Sequence, residues 1–200
     1  MAVREAELLC HELLLRLAGR LPDRHLWRYR DWLAGGAADV LARSLPGTLF
    51  RERVALDDAD HRLLSEAVLP LGADRSVVDA ILPGGAGYPE YGFTSASPVA
   101  GSDSEALVLG ATLRGRPGVR EVRSSWRSGG GQRSKRVLLV TGSADHIGMT
   151  GEIQRIVRAL GEPEPCVEVL PPDLEPTGYH RAALAESVQV CTGAEAPHRG

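Results

Sequence analysis

The chain has 200 residues, with 23 basic and 26 acidic side chains and a formal net charge of −3. Apolar residues make up 43% of the chain, close to the average for globular proteins, so collagen-like and wholly disordered chains are excluded. No apolar run reaches the roughly 20 residues that a membrane-spanning helix needs, and the N-terminal segment lacks the continuous apolar centre of a secretory signal. We therefore expect a cytoplasmic protein with no membrane partner.

The first part of the sequence has the spacing of helices. In the first predicted helix, apolar residues recur every three or four positions and mark one buried face: Val3, Ala6, Leu9, Leu13 and Leu17. Further helices are predicted over residues 24–33 and 37–44, the second of which we expect to end before Pro46 because proline disrupts a helix interior. Asp57 and Asp74 are predicted to cap two more helices.

Residues 83–103 interrupt this pattern, because 11 of these 21 positions are Pro, Gly or Ser. That composition is typical of a connector. The segment also holds three of the chain's Tyr and Phe residues, which a purely flexible connector does not need. We therefore expect an edge strand over residues 91–96, and we assign three candidate partner-binding residues: Tyr88, Tyr91 and Phe93.

From residue 104 onward the apolar pattern indicates strands mixed with helices. Residues 106–113 and 119–126 are predicted as the two strands of a hairpin that turns at residues 114–118. Residues 137–140 are predicted as a strand buried on both faces. The remaining predicted elements are a helix over 150–160, a strand over 166–170, a helix over 179–185 and a strand over 187–191.

These elements predict an α+β fold. An N-terminal helical lobe is followed by a mixed sheet, made of a hairpin and a βαβ crossover, with helices packed on it. The predicted domains are a helical lobe at 1–82, a connector at 83–103, a sheet domain at 104–192 and a flexible tail at 193–200.

The loop after the buried strand is the main candidate ligand site. Ligands of parallel sheets bind at the carboxyl ends of strands, where the N–H groups of a following helix attract anions. A nucleotide, phosphate or other small anionic group would bind to the helix that starts at Thr150. The candidate ligand-binding residues are Thr141, Gly142, Ser143, Asp145, His146, Gly148 and Thr150. The turn resembles that of short-chain dehydrogenases, a family excluded here because the chain lacks a Tyr-x-x-x-Lys pair.

Two segments are rich in arginine. Residues 114–136 hold eight basic residues against Glu121 alone, and Arg120, Arg123 and Arg127 are candidate partner-binding residues. Residues 16–30 interleave arginines with Trp27 and Tyr29, which suits the stacking of nucleic-acid bases. All basic residues except Lys135 are arginine, which indicates the coding bias of a bacterial genome.

The cysteines and histidines lack the spacing of a metal site. Cys10, Cys166 and Cys191 are an odd number at wide separation, so we expect free thiols, no disulfide framework and no structural metal. No complete catalytic set of residues is recognisable, and no cofactor is expected.

The leading hypothesis is a non-enzymatic cytoplasmic accessory or regulatory protein that acts through protein–protein contacts and senses a small anionic ligand. The first alternative is a small enzyme or enzyme subunit with a nucleotide- or phosphate-binding loop at residues 141–148. The second is nucleic-acid binding through the arginine-rich hairpin at residues 114–136. The sequence leaves the protein partner unidentified and homo-oligomerisation open.

Overall fold

A computed structural model describes residues 2–84, 90–98, 103–129, 132–142 and 145–193. Tyr88, Ser143 and the predicted tail beyond residue 193 lie outside these ranges. The chain divides into two compact units, Met1–Pro89 and Glu90–Gly200. The described residues form eight α-helices, the first five of which precede a five-stranded mixed sheet, so the predicted α+β class is confirmed. None of the described helices is both long and apolar enough to cross a membrane.

The first unit consists of helices that bury leucine-rich faces against one another. Helix α1 packs against α2 and α4, and its side chains Leu13, Leu14 and Leu17 are fully buried. The elements of this unit are α1 (Ala2–Arg16), α2 (Asp23–Ala34), α3 (Ala38–Arg51), α4 (Asp58–Val68), a 3₁₀ turn (Leu69–Leu71) and α5 (Arg75–Asp79). The predicted caps are confirmed, because the Asp57 and Asp74 carboxylates accept hydrogen bonds from backbone N–H groups of α4 and α5.

Helix α3 runs through Pro46, so the prediction of a helix that ends before this residue is wrong. Proline lacks the N–H that would bond to the preceding turn, which costs about 3 kcal/mol in a helix interior. However, Leu41, Leu45 and Leu49 are fully buried along one stripe of the helix, on both sides of the proline. Burial of this stripe stabilises both halves in one direction and outweighs the local cost.

The second unit is built on a sheet with the strand order β1–β2–β3–β4, in which β5 also pairs with β2. Strand β2 is antiparallel to β1, β3 and β5, whereas β3 and β4 are parallel. Because β3 occupies one side of β2, the short strands β1 and β5 share the other side, end to end. The strands are β1 (Tyr91–Thr94), β2 (Glu121–Gly129), β3 (Gln132–Thr141), β4 (Cys166–Leu170) and β5 (Val188–Thr192). The predicted edge strand in the connector is thus confirmed as β1.

Residues 106–113 lie in helix α6 (Ser104–Leu113), so their prediction as a strand is wrong. The hairpin of the sheet is instead formed by β2 and β3. The segment is nearly all apolar, and a run of that kind has no period by which a strand and a helix can be distinguished. Asp103 determines the outcome locally, because its carboxylate accepts a hydrogen bond from the N–H of Ala106 at 3.0 Å and caps the helix.

The predicted parallel crossover is confirmed as β3, helix α7 (His146–Ala159) and β4. The predicted strand over residues 137–140 is also confirmed as buried on both faces. Helix α7 begins four residues before the predicted start at Thr150, because Asp145 caps it.

The sheet has a different layer on each face. Helices α6 and α7 cover one face and share a core with β-strand residues such as Val122, Val140 and Val167. Side chains alternate along a strand, so Glu168 and Arg127 lie on the opposite face. There they contact helix α8 (Gly178–Ala185).

Candidate functional site

The predicted ligand loop lies at the carboxyl end of β3, beside Arg120. Gly142 has a φ of +85°, and a Cβ at this position would lie 2.5 Å from the Cβ of Arg120, so only glycine fits. The N–H of Arg120 donates to the carbonyl of Thr141 at 2.8 Å, and the side chain of Arg120 is exposed. The structure thus brings Thr141 and Gly142, both candidate ligand-binding residues, next to a candidate partner-binding arginine.

The start of α7 disfavours an anion. The Asp145 carboxylate accepts a hydrogen bond from the N–H of Gly148 at 3.1 Å, and the buried Thr150 hydroxyl donates to the carbonyl of His146 at 2.7 Å. A carboxylate at a helix N terminus occupies the position of an anionic ligand and repels one that approaches. The ligand site at residues 141–148 therefore stays a prediction that this geometry does not favour.

Four of the eight basic side chains between residues 114 and 136 form ion pairs within the second unit. The ion pairs join Arg116 to Glu152, Arg123 to Glu121, Lys135 to Glu162 and Glu164, and Arg136 to Asp103 and Glu105. In the other arginine-rich segment, Arg20 forms a buried ion pair with Asp60. Internal pairing removes charge that a nucleic-acid backbone would need, so nucleic-acid binding gains no support.

Three candidate partner-binding residues meet in an aromatic cluster around Arg127. The guanidinium of Arg127 lies 4.8 Å from the ring centre of Tyr91 and donates to the Tyr179 hydroxyl at 3.0 Å. The ring of Phe93 lies 5.2 Å from that of Tyr179, edge to face. Arg127 is only 6% exposed. These contacts hold β1 against α8, so the cluster stabilises the fold of the second unit.

A buried Glu168–His180 pair lies on the same face of the sheet and was not predicted from the sequence. The Nε2 atom of His180 lies 3.3 Å from a carboxylate oxygen of Glu168, and its Nδ1 atom lies 3.0 Å from the Thr177 hydroxyl. Both side chains of the pair are almost completely buried. The signal was a charged residue within an otherwise apolar strand. Because both ring nitrogens of His180 have partners and the pair is closed to solvent, it anchors α8 to β4.

A groove of about 390 Å³ lies between α6 and β5, and we call it the α6–β5 groove. One wall is a stripe along α6, the other is the first part of β5, and a residue of β2 lies between them. The lining residues are Asp103, Ala106, Leu107, Gly110, Arg114, Ser124, Val188, Gln189 and Val190.

Large apolar side chains are exposed along this groove. Leu107 is 68% exposed and Val188 is 48% exposed on the facing strand, and Val108 next to Leu107 is 39% exposed. The opposite side of α6 is buried, with Leu109 and Leu113 fully inside the core. A helix that is apolar on every side is normally covered on every side. Residues 106–113 were predicted as a strand, so the sequence pattern did not reveal this surface.

The polar groups of the groove lie at its ends and between its walls. Asp103 pairs with Arg136, whereas Arg114 is exposed and has no ion pair within the described part of the chain. Ser124 is 3% exposed and lines the groove between its two walls. A hydroxyl group beside an apolar cleft can orient a bound molecule.

No protein-family model, curated protein or solved structure matches this chain.

The remaining reactive groups are sequestered. Within the described residues, no three His, Cys, Asp or Glu side chains lie close enough to hold a metal ion. All three cysteines are buried, and none of them forms a disulfide. Burial, together with the charge of Glu7, raises the pKa of the Cys10 thiol to about 12, and burial also raises the pKa of Cys191. Because the thiolate is the reactive form of cysteine, the raised pKa values make Cys10 and Cys191 unreactive, and both side chains serve packing.

Proposed function

We propose that this chain is a non-enzymatic cytoplasmic accessory or regulatory protein that binds a partner protein through the α6–β5 groove. The observation that carries the proposal is the exposed apolar side of α6, where Leu107 is 68% exposed. Complete burial of such a side chain in an interface contributes about 1.5–3 kcal/mol. A partner that covers Leu107, Val108 and Val188 therefore gains affinity from a surface that the chain itself leaves in water.

The polar sites support a binding role over a catalytic one. Glu168 and His180 pair with each other beneath α8, and burial raises the pKa of the Cys10 thiol. The Asp145 carboxylate occupies the start of α7, so a small anionic ligand is not part of the proposal. These groups stabilise the two units and are not available for contacts with a partner.

Site-specific photo-cross-linking in the source cells tests the proposal. A photoreactive amino acid at position 107 is expected to yield a covalent adduct with one other protein. The matched control carries the same amino acid at Leu160, which follows α7 and is 43% exposed. The control is expected to give no such adduct.

A second variant checks that the adduct depends on the apolar surface. Val188→Glu, combined with the cross-linker at position 107, is expected to abolish the adduct because it places a charge in the apolar contact. Circular dichroism must show that this variant keeps its helices. The proposal is contradicted by equal adducts at positions 107 and 160, by no adduct at 107, or by an adduct with a second copy of this chain.

A further inference from the structure

We draw no further inference here: the strongest candidate, the apolar groove between α6 and β5, belongs to the site already described, and nothing in the structure shows the chemistry or the conformation of what covers it.

Discussion

Arg136 shows how one buried side chain joins a helix to the sheet. Its guanidinium is 8% exposed, donates to the Asp103 carboxylate and lies 3.7 Å from the carboxylate of Glu105. It also lies 4.7 Å from the ring centre of Trp126. Two of its nitrogen atoms are buried without a hydrogen bond. The residue therefore holds the first turn of α6 on the sheet, next to the α6–β5 groove.

Removal of this charge is expected to destabilise the second unit. Arg136→Met keeps much of the apolar stem but leaves two carboxylates unpaired, and these are 39% and 23% exposed in the ion pairs. Allowing for that exposure, we expect a loss of about 2 kcal/mol in the free energy of unfolding, measured by urea denaturation at pH 7. Arg136→Lys is the matched control and is expected to lose less, because it keeps the charge.

The loss in the free energy of unfolding caused by Arg136→Met is expected to be smaller at low pH. Burial raises the pKa of Asp103, but hydrogen bonds from Arg136 and Ala106 outweigh it and hold that pKa below the ordinary 3.8. Ionised Asp103 thus stabilises the fold above about pH 4, and this contribution fades as the pH falls through its lowered pKa. Burial raises the pKa of Glu105 above 4.5, so its charge opposes folding at neutral pH, most strongly without Arg136. An equal loss at pH 7 and pH 3 would contradict this account.

Contacts between side chains far apart in sequence could not be predicted at this scale. The caps at Asp57 and Asp74 were predictable, because a cap needs only the two or three residues that follow it. By contrast, Glu168 and His180 lie on different elements, and only the packing of α8 on the sheet brings them together. Their pairing depends on tertiary structure, which a local pattern does not contain.

At the scale of elements, prediction succeeded where the apolar pattern had a period or a clear length. The buried strand at residues 137–140 and the crossover through α7 are confirmed. The prediction failed for helix α6 because its apolar residues lie on all sides. The predicted end of α3 was wrong because burial outweighed the effect of Pro46. The groove could not be predicted, since it depends on α6 being a helix next to β5.

The cap of α7 gives a prediction at this scale. Asp145→Ala removes the carboxylate that accepts from the Gly148 N–H, so we expect the free energy of unfolding to fall by about 1 kcal/mol. Asp145→Asn keeps an acceptor and is expected to lose clearly less. Urea denaturation of the three proteins measures both effects. A loss as large for asparagine as for alanine would show that the carboxylate does not act as a cap.

At the scale of the whole molecule, the chain divides into Met1–Pro89 and Glu90–Gly200. The class of fold was predictable, because helices dominate the first part of the sequence and strand patterns the second. All five strands and the core beneath α6 and α7 lie in the second unit. That unit has its own core, which is the main requirement for folding alone.

We therefore expect a fragment that begins at Glu90 to fold by itself. Its amide NMR spectrum is expected to be dispersed, and its thermal unfolding to be a single cooperative transition. A matched fragment that begins at residue 95 lacks β1 and is expected to be less stable, because Tyr91 and Phe93 no longer cover Arg127 and Tyr179. A Glu90 fragment with a collapsed spectrum would mean that the second unit needs the first.

The arrangement of β1 and β5 along one side of β2 also sets an order of assembly. While the ribosome makes the chain, Glu121 to Ser124 have no neighbour on that side until Val188–Thr192 have been added. The helical unit emerges much earlier and can fold during translation. The sheet is complete only after β5 has been made. Because β5 is one wall of the proposed binding groove, the groove forms after the rest of the sheet.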